Sequence, residues 1–219
     1  MQFILLMSIN APRINKVLES LKTLSNKRSI WGILGILAIG IVLFSHFVIQ
    51  EFLLIPPCEQ CVYIRYAFVV LVLGCLIIAL KPRSWVFKGV GAIVILYALV
   101  RGITAAFTLN TIHTALKTGN VFGLKGCSLE PKFDFNLPLD TWIPQLFRPL
   151  GFCGYDMPYA NMELSPFQEW FIAFYTNGWY VIPSLEFGSM AQCALVIFVL
   201  YGLAIGVLMV ASGFQNNKL

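Results

Sequence analysis

Two apolar runs meet at the stretch that decides the fold: residues 56–66 read Pro-Pro-Cys-Glu-Gln-Cys-Val-Tyr-Ile-Arg-Tyr. The two prolines end the first run, and the backbone can re-enter a helix just beyond them. Cys61 would then lie in the first turn of a second membrane helix, where unpaired N–H groups and the helix dipole favour a thiolate. Arg65 follows four residues later and shares a helix face with Cys61. A thiol beside a fixed cation predicts a membrane redox site.

The composition of the chain is that of a membrane protein. Of its 219 residues, 58% are hydrophobic and only 11% are charged, whereas soluble domains carry about 25% charged residues. The mean hydropathy is +0.80. The net charge of +5 does not indicate nucleic-acid binding, because the basic residues are not gathered into one stripe with aromatic residues. We therefore expect a protein surrounded by membrane lipid, with no nucleic-acid partner.

Four apolar runs are each long enough to cross the hydrocarbon core of a bilayer, which is about 30 Å thick. They cover residues 30–50, 62–80, 85–107 and 190–211. The predicted fold is an all-α membrane protein, a four-transmembrane-helix bundle with a long outer loop carrying short helices. Within that loop, apolar residues at helical spacing predict one short surface helix over residues 139–147, with Trp142, Ile143, Leu146 and Phe147 on one face.

The basic residues predict the orientation in the membrane. Nine of the fifteen Lys and Arg residues lie in residues 1–29, the turn at 81–88 and the C-terminal tail. The positive-inside rule places that side in the cytoplasm. We therefore expect a cytoplasmic segment over 1–29 with an amphipathic surface helix, a membrane domain over 30–212, and a cytoplasmic tail over 213–219. Periplasmic loops are expected at about 51–61 and 108–189. No cleavable signal peptide is expected, because the apolar run at residues 3–7 is short and basic residues follow it.

The six cysteines divide into two groups. Cys75 and Cys193 lie inside apolar runs and are predicted to be small buried hydrophobic residues. The other four, Cys58, Cys61, Cys127 and Cys153, fall in segments expected to face the oxidising side, where disulfides persist. Val62 follows Cys61 where a haem-attachment motif has His. A zinc site would need two more ligands at close spacing, so no metal site is predicted.

Three stretches carry a resemblance to a known family. Residues 57–65 resemble the Pro-Cys-x-x-Cys-x-Tyr-x-Arg stretch of the DsbB family of bacterial disulfide-forming membrane proteins. Residues 137–147 look like the second outer loop of that family, and residues 96–102 are similar to the end of its third span. The resemblance covers about 30–153 and resumes in the last span. The enlarged segment 154–189 looks more like the DsbI branch, whose members serve a dedicated partner.

The resemblance implies a protein thiol:quinone oxidoreductase in the bacterial inner membrane. A reduced DsbA-like periplasmic thiol oxidase, of the DsbL type in the DsbI branch, would attack the Cys127–Cys153 disulfide at Cys127. Electrons would pass to Cys58–Cys61 through a transient Cys58–Cys153 bridge, and the Cys61 thiolate would reduce ubiquinone or menaquinone. Arg65 and His113 are the implied cofactor-binding residues.

Redox energetics agree with a quinone acceptor. A DsbA-like oxidant lies near about −120 mV and ordinary structural disulfides lie below about −300 mV, so regenerating the first from the second would be uphill by roughly 8 kcal/mol. A strong terminal oxidant removes that deficit.

Some residues keep a second interpretation. Arg101 is interpreted as a residue that contacts lipid headgroups, or as a functional cation at the end of its span. His113 is placed in the outer loop, where a surface histidine is the alternative to a proton donor. Tyr63 and Tyr66 are candidate pocket residues, although aromatic residues are common at membrane interfaces.

Two rival functions remain open at this point. One is a quinone reductase of the vitamin K epoxide reductase type, which also has four core spans and two cysteine pairs. Residues 137–147, and the position of the second pair between spans three and four, argue against it. The other is a small transporter or scaffold whose loops are held by structural disulfides. Its spans would be expected to carry inward-facing charged residues, which these runs lack.

Overall fold

The computed structural model describes residues 16–119, 127–154, 163–174 and 180–213. Residues 16–25 form helix α1, which agrees with the helix predicted within 1–29. Residues 1–15 of that predicted segment and residues 214–219 of the predicted tail lie outside the described residues. The long helices are α2 (Arg28–Phe44), α3 (Glu59–Leu80), α4 (Trp85–Lys117) and α8 (Met190–Gly213), and α2 continues as a π-helical segment over Ser45–Phe52.

Four helices within the described residues are long and apolar enough to cross a membrane. They are α2 with its π-helical extension, α3, α4 and α8, and they confirm the predicted all-α four-helix membrane bundle. Helix α3 packs against α2 on one side and α4 on the other, and α8 packs against α4. The chain alternates direction, so the start of α3, the end of α4 and the start of α8 share what we call the cysteine end of the bundle.

Helix α4 is longer than predicted. The apolar run ends near residue 107, but the helix continues to Lys117 and spans 33 residues. No proline or glycine occurs in residues 108–118. Gly119, which has a positive φ of 71°, ends the helix. The hydroxyl of Thr111 donates to the Phe107 carbonyl, and the hydroxyl of Thr114 donates to the Asn110 carbonyl, each one turn earlier in the helix. The outer segment predicted at about 108–189 therefore begins as a helical continuation of α4.

The core of the bundle is aromatic and tightly packed. The rings of Phe68 and Phe198 stack with centroids 4.3 Å apart, and the buried Trp31 donates from Nε1 to the Ser25 carbonyl at 2.8 Å. Glycine allows α3 and α4 to approach closely, since a Cβ added at Gly91 would lie 2.9 Å from the carbonyl oxygen of Gly74. This close packing fixes the position of α3, whose first turn carries the first cysteine pair.

The outer segments contain short helices, as predicted, but their boundaries differ. A 3₁₀ turn covers Asp134–Asn136, α5 covers Leu139–Trp142, α6 covers Pro144–Phe147, α7 covers Pro166–Phe174, and a second 3₁₀ turn covers Pro183–Leu185.

The single helix predicted over residues 139–147 is broken at Ile143, where φ is −135° and ψ is 68°. Pro144 disfavours helical backbone in the residue before it. Trp142 is 63% exposed while Phe147 is buried, so the predicted common face does not form.

Candidate redox site

The first turn of α3 positions the first cysteine pair. Cys58 is the N-cap residue with extended backbone (φ −84°, ψ 171°), and its sulfur accepts the backbone N–H of Cys61 at 3.2 Å. The side chain of Cys58 is 3% exposed, and Cys61 is half-buried. Cys61 thus lies in the first turn of the second membrane helix, as the prolines before it predicted. Unpaired N–H groups and the helix dipole at this end of α3 stabilise negative charge on a sulfur.

The second cysteine pair is a disulfide between Cys127 and Cys153, with Cα atoms 5.7 Å apart. The backbone N–H of Cys153 donates to the Cys127 sulfur at 2.6 Å. Cys153 is 3% exposed, whereas Cys127 is half-buried. All four cysteines belong to one packed cluster with Leu109, Ile112 and Ala191 of α4 and α8. The structure therefore brings together two pairs that are far apart in the sequence.

Backbone contacts hold the second pair beside the first. The N–H groups of Leu150 and Gly151 both donate to the carbonyl of Pro57, at 2.9 and 3.2 Å. Gly151 lies so close to the chain before the first pair that an added Cβ would be 2.9 Å from Cγ of Pro56. This contact was not predicted, because no local pattern relates a glycine in the loop to a proline almost a hundred residues earlier.

Arg65 lies one turn beyond Cys61 and is buried in a dense set of hydrogen bonds. Its Nε donates to the Ser45 hydroxyl at 2.7 Å, and its Nη2 donates to the Ser45 carbonyl at 3.0 Å. Its Nη1 donates to Gln50 Oε1 at 2.8 Å and to the Leu146 carbonyl at 3.3 Å. The π-helical segment Ser45–Phe52 supplies the Ser45 and Gln50 groups, and π turns often occur at functional sites. These bonds use four of the five guanidinium N–H groups.

A cavity of about 320 Å³ adjoins this arginine, within the usual size of ligand pockets, about 300–1,000 Å³. Cys61 and Arg65 both line it, and the rest of the lining is mainly apolar, with Phe68, Phe171 and Met190 among the walls. A thiol and a buried guanidinium thus face the same mainly apolar space. The 61–65 spacing predicted that the two side chains share a face, and the cavity suits a mainly apolar ligand with a hydrogen-bond acceptor.

His113 and Arg101 lie elsewhere. His113, expected in the loop, is on α4 and 8% exposed, and it is not among the residues that line the cavity. Its ring lies against the backbone of Gly154, and its Nε2 has no hydrogen-bond partner among the described residues. Arg101 pairs with Asp134 of the loop at 2.8 Å, and the hydroxyl of Tyr97 donates to the same carboxylate. Arg101 therefore attaches the loop to α4.

The two tyrosines after the first pair also face the loop. Tyr63 and Tyr66 pack against Phe133, with ring centroids 5.7 and 5.6 Å apart, and neither lines the cavity. The prediction that they form the pocket was wrong, because both project from the opposite side of α3 to Cys61 and Arg65. Cys75 is buried in the core as predicted, whereas Cys193 is half-buried and lines the cavity.

Glu59, a buried acid between the two cysteines of the first pair, was not predicted as a site residue. Its signal was present, since an acid at the start of an apolar span needs partners to be buried. No group of three or more His, Cys, Asp or Glu residues in the described part of the chain is placed to hold a metal ion.

Four membrane helices and two cysteine pairs packed into one cluster define a class of protein, the membrane thiol–disulfide oxidoreductases. The arrangement comprises a half-buried disulfide, a second cysteine pair packed against it, and a mainly apolar cavity that Cys61 lines.

Comparison with known proteins gives the family. Residues 27–208 match the family described as "Disulfide bond formation protein DsbB". A Campylobacter fetus protein that bears the name DsbI is 42% identical over 178 residues, which are 80% of this chain and 83% of the relative. The protein-disulfide oxidoreductases DsbI of Salmonella typhimurium and Escherichia coli are 39% and 36% identical over 208 residues, 92% of this chain and 91–92% of theirs. The chain belongs to the DsbB family, in its DsbI branch, and the resemblance seen in the sequence is confirmed.

Proposed function

We propose that this protein is an inner-membrane thiol:quinone oxidoreductase that reoxidises a periplasmic DsbA-like thioredoxin-fold oxidase and passes two electrons to a quinone. The observation that carries the proposal is the single cluster of four cysteines, with Cys61 at one edge and lining an apolar cavity. Membership of the DsbI branch supports a dedicated partner of the DsbL type. The basic residues support an orientation with both termini in the cytoplasm.

Electrons enter at Cys127. A thiolate of the reduced partner attacks the Cys127 sulfur, a mixed disulfide forms, and Cys153 leaves as a thiolate. The difference in burial supports this order, because Cys127 is half-buried and Cys153 is enclosed by the cluster. The second partner thiolate then displaces Cys127, which leaves the partner oxidised and the pair reduced by two electrons.

Exchange between the two pairs follows inside the cluster. The Cys153 thiolate attacks Cys58 of an oxidised Cys58–Cys61 pair, the Cys58–Cys153 bridge forms, and Cys61 leaves as a thiolate. Attack by Cys127 on Cys153 resolves the bridge and releases Cys58, so the first pair becomes the reduced one. Thiol–disulfide exchange releases the leaving sulfur as a thiolate, and Cys61 leaves within the first turn of α3, where the helix dipole favours negative charge.

The cavity fits a quinone. Its walls are mainly apolar, and the fifth N–H of Arg65, on Nη2, is not used by the described residues and can donate to a carbonyl oxygen. A quinone bound there would accept two electrons and two protons. Arg65 holds the charge of the Cys61 thiolate, and the apolar walls exclude water. His113 stays a prediction as a cofactor residue, since its buried Nε2 lies near the second pair but outside the cavity lining.

The proposal is tested by quinone reduction with purified protein and a reduced DsbA-like partner. The wild-type protein should reduce quinone over many turnovers, and Cys127→Ser should reduce none, because the attacked sulfur is missing. Cys75→Ala is the matched control, since that thiol lies in the core away from the site, and it should turn over normally. No turnover by the wild-type protein with any reduced partner would leave both pairs as structural disulfides and favour a transporter or scaffold.

A further inference from the structure

Glu59 is a buried carboxylate in the middle of the redox site. It is the first residue of α3, it lies between Cys58 and Cys61, and it is only 7% exposed. Burying a carboxylate is unfavourable unless hydrogen bonds satisfy its oxygens. The N-terminus of a helix further favours negative charge. The contacts that satisfy Glu59 therefore show what the side chain does in the folded protein.

The two carboxylate oxygens connect Glu59 to the segment that carries the second cysteine pair, one directly and the other through Tyr63. Oε2 accepts the backbone N–H of Ser128, the residue after Cys127, at 2.6 Å. Oε1 accepts the Tyr63 hydroxyl at 2.8 Å, and that hydroxyl oxygen accepts the backbone N–H of Lys132 at 2.8 Å. A side chain from the first pair is thus bonded, directly and through Tyr63, to two backbone groups of the loop beside the second pair. Hydrogen bonds to an ionised carboxylate are stronger than neutral ones.

These bonds act on one end of the loop, and the contacts of Pro57 act on the other. Ser128 is held by Glu59 next to Cys127, while Leu150 and Gly151 are held by the Pro57 carbonyl near Cys153. The disulfide-bearing segment is therefore attached at both ends to the residues that flank the first pair. When the Cys127–Cys153 bond opens during exchange, these contacts still hold the two ends of the segment beside Cys58.

We propose that Glu59 is a positioning residue for the exchange step, which rests on the proposed function: its carboxylate holds the second pair where Cys153 can attack Cys58. In that step the Cys153 thiolate forms a bond to the Cys58 sulfur, the Cys58–Cys61 bond breaks, and Cys61 leaves as a thiolate. The electron count is conserved within the protein. No bond to Glu59 itself forms or breaks in this step.

The test follows formation of the Cys58–Cys153 bond without any quinone. In the Cys61→Ser/Cys127→Ser variant the first and second pairs each keep one cysteine, and diamide serves as the two-electron oxidant that joins them. Formation of the bond is followed by non-reducing electrophoresis and peptide mass spectrometry. Adding Glu59→Ala should slow it at least about tenfold, which corresponds to roughly 1.4 kcal/mol. Glu59→Gln keeps an oxygen that can accept the Ser128 N–H and should restore most of the rate.

Two further variants separate positioning from general damage to the fold. Glu130→Ala removes an exposed acid from the same loop and should leave the rate unchanged. Ser128→Pro removes the donor N–H from the loop side, so it should slow formation of the Cys58–Cys153 bond as Glu59→Ala does. This variant also tests the hydrogen bond if Glu59→Ala fails to fold.

An unchanged rate in Glu59→Ala, or a glutamine variant as slow as the alanine variant, would overturn the proposal. The proposed function is tested separately, by quinone reduction, and a wild-type protein that never reduces quinone would overturn it. The diamide assay contains no quinone, so the two proposals fail in different experiments.

Discussion

At the scale of single residues, Arg65 connects three parts of the molecule. Its guanidinium donates hydrogen bonds to Ser45 and Gln50 of the π-helical segment and to the Leu146 carbonyl of α6. Arg65 also lines the cavity beside Cys61. A planar guanidinium presents five donors in fixed directions, whereas an ammonium presents three at one point. The directions of these bonds, and not only the positive charge, therefore determine how the arginine borders the cavity.

Replacing Arg65 by alanine should weaken quinone use more than partner binding. The KM for quinone should rise at least about tenfold, equivalent to roughly 1.4 kcal/mol, because the donor at the cavity wall is lost. Steady-state quinone reduction measures this change, and trapping of the mixed disulfide with the partner measures the other step. Arg148→Ala removes an exposed arginine of the same loop and is the control. Equal loss of both steps would show that Arg65 does not act at the cavity.

At the scale of elements, α7 has two different faces. Phe171 faces the bundle and lines the cavity, while Phe167, Trp170 and Phe174 are exposed and form a row of stacked rings with neighbouring centroids 5.9 Å apart. The helix is attached to the end of the π-helical segment, since the Gln168 side chain donates to the Phe52 carbonyl. The enlarged segment 154–189 thus contributes a wall of the cavity through α7.

Phe171→Ala should raise the KM for quinone while leaving formation of the mixed disulfide with the partner unchanged. Removing a ring from a cavity wall loses apolar contact with the ligand, and we expect an increase of about tenfold, or roughly 1.4 kcal/mol. Trp170→Ala, one residue away on the exposed face, is the matched control and should have little effect on KM. If the two variants weaken quinone use equally, α7 acts through its attachment to the bundle and not as a cavity wall.

At the scale of the whole molecule, the four cysteines of the two pairs lie at one end of the bundle, and the turn at residues 81–84 lies at the other. The proposed function requires the cysteine end to face the periplasm, where the partner is located. The distribution of basic residues gives the same orientation independently. A labelling experiment can test whether the cysteine end faces the periplasm.

In intact spheroplasts, a membrane-impermeant maleimide should modify Glu130→Cys but not Arg83→Cys. Each substitution is made in a chain whose six native cysteines are replaced by alanine, and both positions are exposed in the structure. Permeabilised cells provide the control, since Arg83→Cys should then react as well. The opposite pattern of labelling would reverse the orientation and exclude a periplasmic partner.

Local patterns in the sequence predicted the spans, the first turn of α3, and the shared position of Cys61 and Arg65. Hydropathy and proline positions carry that information directly. They did not predict that Arg65 binds the Leu146 carbonyl or that Glu59 binds Ser128, because such hydrogen bonds depend on the packed arrangement of distant segments. The end of α4 was missed for another reason: hydropathy falls near residue 107, while the backbone stays helical until Gly119.

The attachment of the loop to the first cysteine pair has a consequence for chimaeric proteins. A chimaera made to change partner choice would replace residues 127–153 of one family member with those of another. In this protein the loop is held by residues of the helices: Glu59 of α3 accepts the Ser128 N–H, and Arg101 of α4 pairs with Asp134. A transplanted loop would arrive without its matching residues on α3 and α4, so a chimaera should exchange those helix residues together with the loop. The structural unit that includes this loop is therefore discontinuous in sequence.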